Sequence, residues 1–283
     1  MAAREMVLQR LHSSTPRSTE DTALVALALR DLGFDAGALI GGQLSSGAWT
    51  VSPAVGPPNA FQTALAVLAL RSWRDQSVTV AARRGIQWLS SLEPAEIHWL
   101  WKWKFRFFDR QVRFDPDKFG WPWVEGTVSW VAPTALTMLA LEVWQFRSSR
   151  IDRATAMLLD RACPSGGWNA GNSVVFGVAL DPHPDFTAVA LLALVGRTSA
   201  QADPIRKALE YLSIKLMSCR SAYSLAWGVL ALNAYGDPRA EQLRYQLESI
   251  LTSPLLDNLQ PRILALAALA LEQPAFTFRE FPL

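Results

Sequence analysis

Cysteine is scarce in this 283-residue chain: Cys163 and Cys219 are its only two, and they show no metal-ligand spacing. The start, Met1-Ala-Ala-Arg-Glu, lacks the apolar stretch of a signal peptide. Together these imply a reducing, cytoplasmic setting. Net charge is also nearly absent, at +2, and no basic stripe with interleaved aromatics stands out, so nucleic acid is not an expected partner. Long apolar runs are missing: the longest are about 10–12 residues, short of the roughly 18–20 that a bilayer requires. No Gly-rich phosphate loop occurs, and Ser, His and Asp fall into no nucleophile motif, which removes nucleotide-binding and hydrolase readings.

What is abundant is one short phrase. Thr22 to Leu29 reads T-A-L-V-A-L-A-L, and it returns at Thr63 to Leu70, Thr134 to Leu141 and Thr187 to Leu194. Looser copies at Leu225 to Leu232 and Leu264 to Leu271 keep the final Leu-Ala-Leu. From one final Leu to the next the steps are 41, 71, 53, 38 and 39 residues, a repeat with insertions. Each copy is apolar on nearly every face, as befits a helix surrounded by protein, and its alanines allow close approach of neighbours.

More amphipathic segments precede the copies: Glu5 to Leu11, Ala36 to Leu44, Val78 to Leu92, Ile151 to Cys163, Pro204 to Met217 and Arg239 to Leu251. Six wet outer helices alternating with six dry inner ones close most simply into a ring. The expected fold is all-α, a single (α/α)6 toroid over residues 1–283, with a tail at 273–283 and an insertion at about 93–129. The inner helices are expected at Thr19 to Leu32, Phe61 to Trp73, Ala132 to Trp144, Phe186 to Val195, Ala222 to Tyr235 and Arg262 to Leu271. In the insertion, Trp99, Trp101, Trp103, Phe105 and Phe107 alternate with Leu100, Lys102, Lys104 and Arg106, a period of two that predicts a β-strand turning near Asp109 and Arg110 and returning through Val112 and Phe114. Two uses stay open for it: a lid on the toroid, or a peripheral membrane contact through 99–108.

Arg153-Ala154, Met157-Leu158 and Gly166-Gly167-Trp168 are spaced as in the QW repeat, with Ala162 at the Gln position, and Gln43-Leu44-Ser45-Ser46-Gly47-Ala48-Trp49 gives its second half. Arg84-Gly85-Ile86-Gln87-Trp88-Leu89 and Lys207-Ala208-Leu209-Glu210-Tyr211-Leu212 match its first half. From about residue 1 to 272 the chain thus resembles the squalene and terpenoid cyclase and protein prenyltransferase β-subunit superfamily. The resemblance implies the toroid. It does not by itself give chemistry, because such folds also serve without catalysis. At the start of an inner helix the cyclases carry Asp-x-Asp-Asp-Thr-Ala, where this chain has Ser18-Thr19-Glu20-Asp21-Thr22-Ala23. The resemblance would make Glu20 the proton donor and Asp21 its neighbour, while the same residues also read as a good helix cap. The prenyltransferase zinc site is not matched: His183-Pro184-Asp185 has no later His.

Parallel inner helices would bring their amino ends to one mouth, with Glu20, Asp21, Asp181 and Asp185 as candidate catalytic acids. Crowded carboxylates raise one another's pKa, as a general acid needs. Asp257 belongs to the same expected rim. Asp117, Trp121, Trp123, Glu125 and Trp130 enter it from the insertion, and Trp49 and Trp168 come from the QW-like turns. An aromatic pocket below a proton donor suits an isoprenoid-type substrate, because ring faces stabilise carbocations. No cofactor is expected, although a diphosphate substrate would bring Mg²⁺ with it, and a second subunit or homodimer would supply a missing wall. The alternative is a non-catalytic module that holds a protein or lipid partner at the acidic mouth or the aromatic insertion.

Overall fold

The computed structural model describes residues 3–53, 55–108, 114–251 and 258–278. All six repeat copies form buried helices: α2 (Thr19–Ala28), α4 (Ala60–Leu70), α7 (Val131–Val143), α9 (Pro184–Leu194), α11 (Ala222–Ala234) and α13 (Pro261–Ala270). Their starts follow from local chemistry. Ser18, Asn59 and Ser221 cap α2, α4 and α11 by accepting backbone N–H bonds, and Pro184 and Pro261 occupy first-turn positions where a missing N–H costs nothing. Each inner helix packs on the next in chain order, and α13 packs back on α2. The ring is closed.

The outer layer consists of α1 (Ala3–His12), α3 (Gly37–Gly41), α5 (Gln76–Ser91), α8 (Arg150–Asp160), α10 (Asp203–Met217) and α12 (Arg239–Leu251). Chain order suggested pairing each outer helix with the inner helix after it. Instead α3, α5, α8, α10 and α12 pack on the inner helix before them, and α1 packs on α13. Short inner-to-outer links make antiparallel neighbours, while the outer-to-inner links, except the short ones from α1 to α2 and from α10 to α11, carry the longer loops. The last pairing joins the two ends of the chain. Arg4 donates to the Ala268 carbonyl at 3.2 Å, Glu272 receives both Arg4 and Arg30, and the Arg262 N–H donates to Asp21 Oδ1 at 3.2 Å.

The repeated threonine has a repeated task. The backbone N–H groups of Trp49, Trp121 and Trp168 donate to the hydroxyls of Thr63, Thr134 and Thr187 at 2.9, 2.8 and 2.9 Å. Their indole N–H groups donate outward to the carbonyls of Leu39, Leu89 and Leu158 at 2.8, 2.7 and 2.6 Å. Each tryptophan, fully buried, therefore ties an outer helix to the next inner helix. The turns that deliver Trp49 and Trp168 need glycine two residues earlier: Gly47 and Gly166 have φ of +95° and +96°, and a Cβ would lie 2.6 and 2.7 Å from the carbonyl oxygens of Arg84 and Lys207.

The insertion departs from expectation. It is not a strand: after a 3₁₀ turn at Ala95–Ile97 come α6 (Trp99–Trp103) and a π-helical turn, Lys104–Phe108. A period of two also places aromatics four residues apart, and Trp101 stacks on Phe105 at 5.6 Å while Trp103 meets Phe107 at 6.4 Å. Without a buried face to impose alternation, the helix wins. The expected turn at Asp109 and Arg110 and the return through Val112 lie outside the described residues. A buried carboxylate pins the insertion's base: Glu96 accepts the Ser129 N–H at 2.8 Å and lies 3.8 Å from the buried Arg161 guanidinium. The described strand structure is one small hairpin, β1 (Val174–Val175) with β2 (Val178–Ala179).

Candidate functional site at the inner-helix amino ends

In register, the residues two places before the motif threonine, or before its leucine in the two looser copies, are Glu20, Phe61, Ala132, Asp185, Tyr223 and Arg262. Taken round the ring they divide into two arcs. Consecutive helices α9, α11, α13 and α2 give Asp185, Tyr223, Arg262 and Glu20. On the other side, α4 gives Phe61, which packs on Trp123 at 5.1 Å, and α7 gives Ala132, two residues after Trp130 at the helix's N-cap position.

The polar arc is connected across the ring. The Tyr223 hydroxyl donates to Glu20 Oε1 at 3.3 Å. Burial pushes the Glu20 carboxyl above the usual glutamate range, against the opposing pull of the Arg262 charge and the Tyr223 hydrogen bond. Burial also raises Asp185 despite the Ser224 hydroxyl and His183 beside it, and its Oδ1 is shielded from solvent with no hydrogen-bond partner among the described residues. The Tyr223 phenol is held above its ordinary value by burial and by Glu20, so it remains a donor. With one Glu20 oxygen accepting from a phenol, a proton on the carboxyl belongs on the other oxygen. The arrangement can store and deliver a proton at the mouth.

Asp21 does something else. Its Oδ2 accepts the N–H groups of Arg17 and Ser18 at 3.1 and 3.2 Å, and its own N–H donates to Ser18 Oγ at 3.0 Å, completing a capping box. With Oδ1 on the Arg262 N–H it fastens the ring's seam. Asp21 is thus a structural carboxylate, and Glu20 alone of that pair faces Tyr223.

The remaining candidates scatter. Asp181 is exposed, on the loop before α9. Asp117 sits outside the ring, held by Lys102 at 2.9 Å and Arg106 at 2.5 Å, and these cations keep its carboxyl below the usual range. Glu125 is exposed, and Asp257 lies outside the described residues. Trp49, Trp121 and Trp168 are fully buried, and the bracing role consumes both N–H groups of each; Trp121 additionally lies under the Arg150 guanidinium at 4.2 Å. Trp123 and Trp130 remain at the mouth. Tyr223 and Arg262 were missed by sequence reasoning, because the last two copies of the motif lack its threonine and open without an acid; the shared register was the signal that could have found them.

Below the mouth, buried apolar side chains run along the inner helices. Leu24, Leu65, Leu136 and Trp227 are buried along the inner helices, and the chain's last described segment adds to them. Phe276 lies under Arg30 at 5.2 Å and meets Phe278 at 5.0 Å; Phe278, 2 % exposed, stacks on Trp227 at 5.8 Å. Among the described residues no group of three His, Cys, Asp or Glu side chains is arranged to hold a metal ion, and no helix is long and apolar enough to cross a membrane.

The architecture is similar to that of the type II terpene cyclase MstE from Scytonema in its apo form, with a TM-score of 0.57 and 13% identity over 87% of this chain and 78% of that one. It is also similar to part of Salmonella alpha-2-macroglobulin, in a mutant and in the protein reacted with methylamine. Each of those has a TM-score of 0.50 and 12% identity, over 96% of this chain and 18% of that chain. No family model and no curated protein sequence matches the chain. At such identities these likenesses establish an α/α-toroid fold and leave the chemistry to the residues.

Proposed function

We propose that the protein is a terpenoid-cyclase-like enzyme that starts cyclisation or isomerisation of an isoprenoid or similarly apolar substrate by proton transfer from Glu20. One observation carries this reading: a carboxyl group raised by burial, set in the mouth and hydrogen-bonded by Tyr223. A carboxylic acid protonates an alkene effectively only when it is desolvated and its conjugate base is stabilised as the proton leaves. Tyr223 and Arg262 supply that stabilisation, and Asp185 lies close enough to act on Tyr223. The aromatic arc of Phe61, Trp123 and Trp130 offers ring faces to the developing cation.

A second reading, a non-catalytic module that binds an apolar or protein partner, is favoured by the burial of Phe278 against Trp227 inside the helical core. One comparison separates them. The purified protein is incubated with linear polyprenes and isoprenoid diphosphates, with and without Mg²⁺, and products are identified by mass spectrometry. Cyclised products from the wild type that vanish in Glu20→Gln, at a melting temperature no lower than that of the wild type, support the enzyme. Absence of products both from the wild type and from Phe278→Ala, which removes the ring stacked on Trp227, supports the binding module instead.

A further inference from the structure

The segment after α13 sends an aromatic side chain back into the ring from the end opposite the mouth. The Tyr223 hydroxyl reaches Glu20 on α2, although α13 lies between α11 and α2, so this face of α11 looks across the ring's axis. Trp227, one turn further along, meets Tyr223 edge-on at 6.3 Å and is 1 % exposed, so it shares that inward face. Phe278 lies nearly parallel to the Trp227 ring, at 5.8 Å and 20°, and meets Phe276 at 5.0 Å. Phe276 in turn lies under Arg30, just past the carboxyl end of α2. Residues 273–278 thus leave α13 at the far end of the ring and turn back to set Phe278 against the inward face of α11. They belong to no helix or strand, and the ring closes without them, through α13 packed on α2. The place Phe278 holds has one unmet need. The Trp227 indole N–H is shielded from solvent and near enough to the Tyr223 oxygen to favour its ionised form, yet it makes no hydrogen bond among the described residues.

We infer that the inward face of Trp227 is a binding subsite for a planar, uncharged, unsaturated group bearing an oxygen acceptor, and that Phe278 holds it in the free protein until such a ligand displaces residues 273–278. The occupant shows what the subsite accepts, a flat ring stacked on an indole in a dry setting. Phenylalanine supplies the stack but no acceptor, and a buried donor left unpaired is destabilising. A ligand that stacks as well and turns a carbonyl or hydroxyl oxygen to the Trp227 N–H improves on the resident side chain. Displacement leaves the base of the segment fastened, because Glu272 keeps its pairs with Arg4 and Arg30. The ligand shifts an equilibrium between a docked and an undocked segment, and its apparent affinity is reduced by the fraction of time that Phe278 is docked. This inference rests on the reading that the ring takes an apolar ligand, and not on whether that ligand is turned over.

The test uses prodan, an uncharged naphthyl ketone whose fluorescence reports its own binding, with hydrogen exchange of the free and the saturated full chain read by mass spectrometry. Wild type is expected to bind the probe, and saturation should speed exchange at 273–278 at least tenfold while α11 and α13 exchange no faster than before. This readout needs no substitution, so it survives a variant that fails to fold. Phe278→Ala, which loosens the resident segment, should bind prodan at least tenfold more tightly, and Phe278→Tyr, which keeps the stack, should stay close to wild type. Replacing Trp99, Trp101 and Trp103 by Ser removes exposed aromatics that compete for the probe and should change neither result. Exchange at 273–278 that is unchanged or slower in the saturated protein overturns the inference. So does a wild type that binds no prodan, or binding that is lost with Trp99, Trp101 and Trp103. Displacement without any cyclised product removes the cyclase reading alone, and cyclised products with 273–278 undisturbed remove this inference alone.

Discussion

Replacing Thr187 by Val changes one hydroxyl to a methyl at a fully buried position, and two lines of reasoning assign that change opposite signs. Hydrophobic burial alone predicts a gain, because apolar surface replaces polar surface in a dry site. The bracing geometry predicts a loss. Thr187 Oγ1 accepts the Trp168 N–H at 2.9 Å and donates to the Trp168 carbonyl at 3.1 Å, and valine can do neither. An orphaned buried N–H costs about 1–3 kcal/mol, and the carbonyl adds to it. Taking about 2 kcal/mol, and roughly 2 °C of melting temperature per kcal/mol for a chain of this size, the midpoint should drop by about 4 °C. Thr63→Val and Thr134→Val disturb the same brace on two other inner helices without shared partners, so the three losses should add to about 6 kcal/mol. That approaches the whole stability of many domains, at roughly 5–15 kcal/mol. Thermal and urea unfolding of the three single variants and the triple variant provides the check. If Thr187→Val is as stable as wild type or more so, the tryptophan braces do not hold the layers together.

The two acids that open α2 should respond in opposite ways. Asp21→Asn weakens a cap and the seam and should cost about 1–2 kcal/mol in urea unfolding at neutral pH. Glu20 is raised in the folded state, so the native protein binds more protons than the unfolded chain between the ordinary glutamate value and the raised one, and stability falls as pH rises through that window. Glu20→Gln should therefore be slightly more stable than wild type at pH 7, with the difference closing as pH falls below the usual glutamate value; a Glu20→Gln protein less stable than wild type at pH 7 would contradict the desolvated carboxyl. On the insertion, Trp99 and Phe108 are 72 % and 65 % exposed, so replacing Trp99, Trp101 and Trp103 by Ser should leave the melting temperature within about 1 °C. If 99–108 is a membrane contact, liposome flotation of the wild type should be lost in that variant, and failure of the wild type to float removes the membrane reading.

The ring was legible because its core is written in one repeated phrase. A helix packed on all sides must be apolar on all sides, and six such runs leave few arrangements that bury them. The pairing of layers was less legible, since amphipathic segments announce an outer position without naming the inner helix they meet; loop lengths decide that. The insertion misled because Trp99 to Phe107 alternates in sequence while no buried face in space enforces the alternation. For the site, Glu20 could be found from its place in a first turn, and Asp21's cap was written in Ser18-Thr19-Glu20-Asp21. Tyr223 and Arg262 sit in repeats whose motif has decayed, and the contact of Tyr223 with Glu20 spans 203 residues, beyond the reach of any local pattern. Trp49, Trp121 and Trp168 illustrate the converse: aromatic residues near a mouth attract a binding role, yet their N–H groups are committed to holding helices together.

The proposal for this protein depends on one carboxyl group retaining its proton where an ordinary glutamate would not. Carbon-13 titration of glutamate Cδ resonances, with the Glu20 signal assigned by its absence from Glu20→Gln, measures this directly. The account predicts a Glu20 midpoint above the usual glutamate value, little changed in Arg262→Lys, which keeps the opposing charge, and higher in Arg262→Gln, where that charge is gone. A Glu20 midpoint at or below the ordinary value in the wild type would contradict it, because the mouth would then hold a carboxylate and no acid.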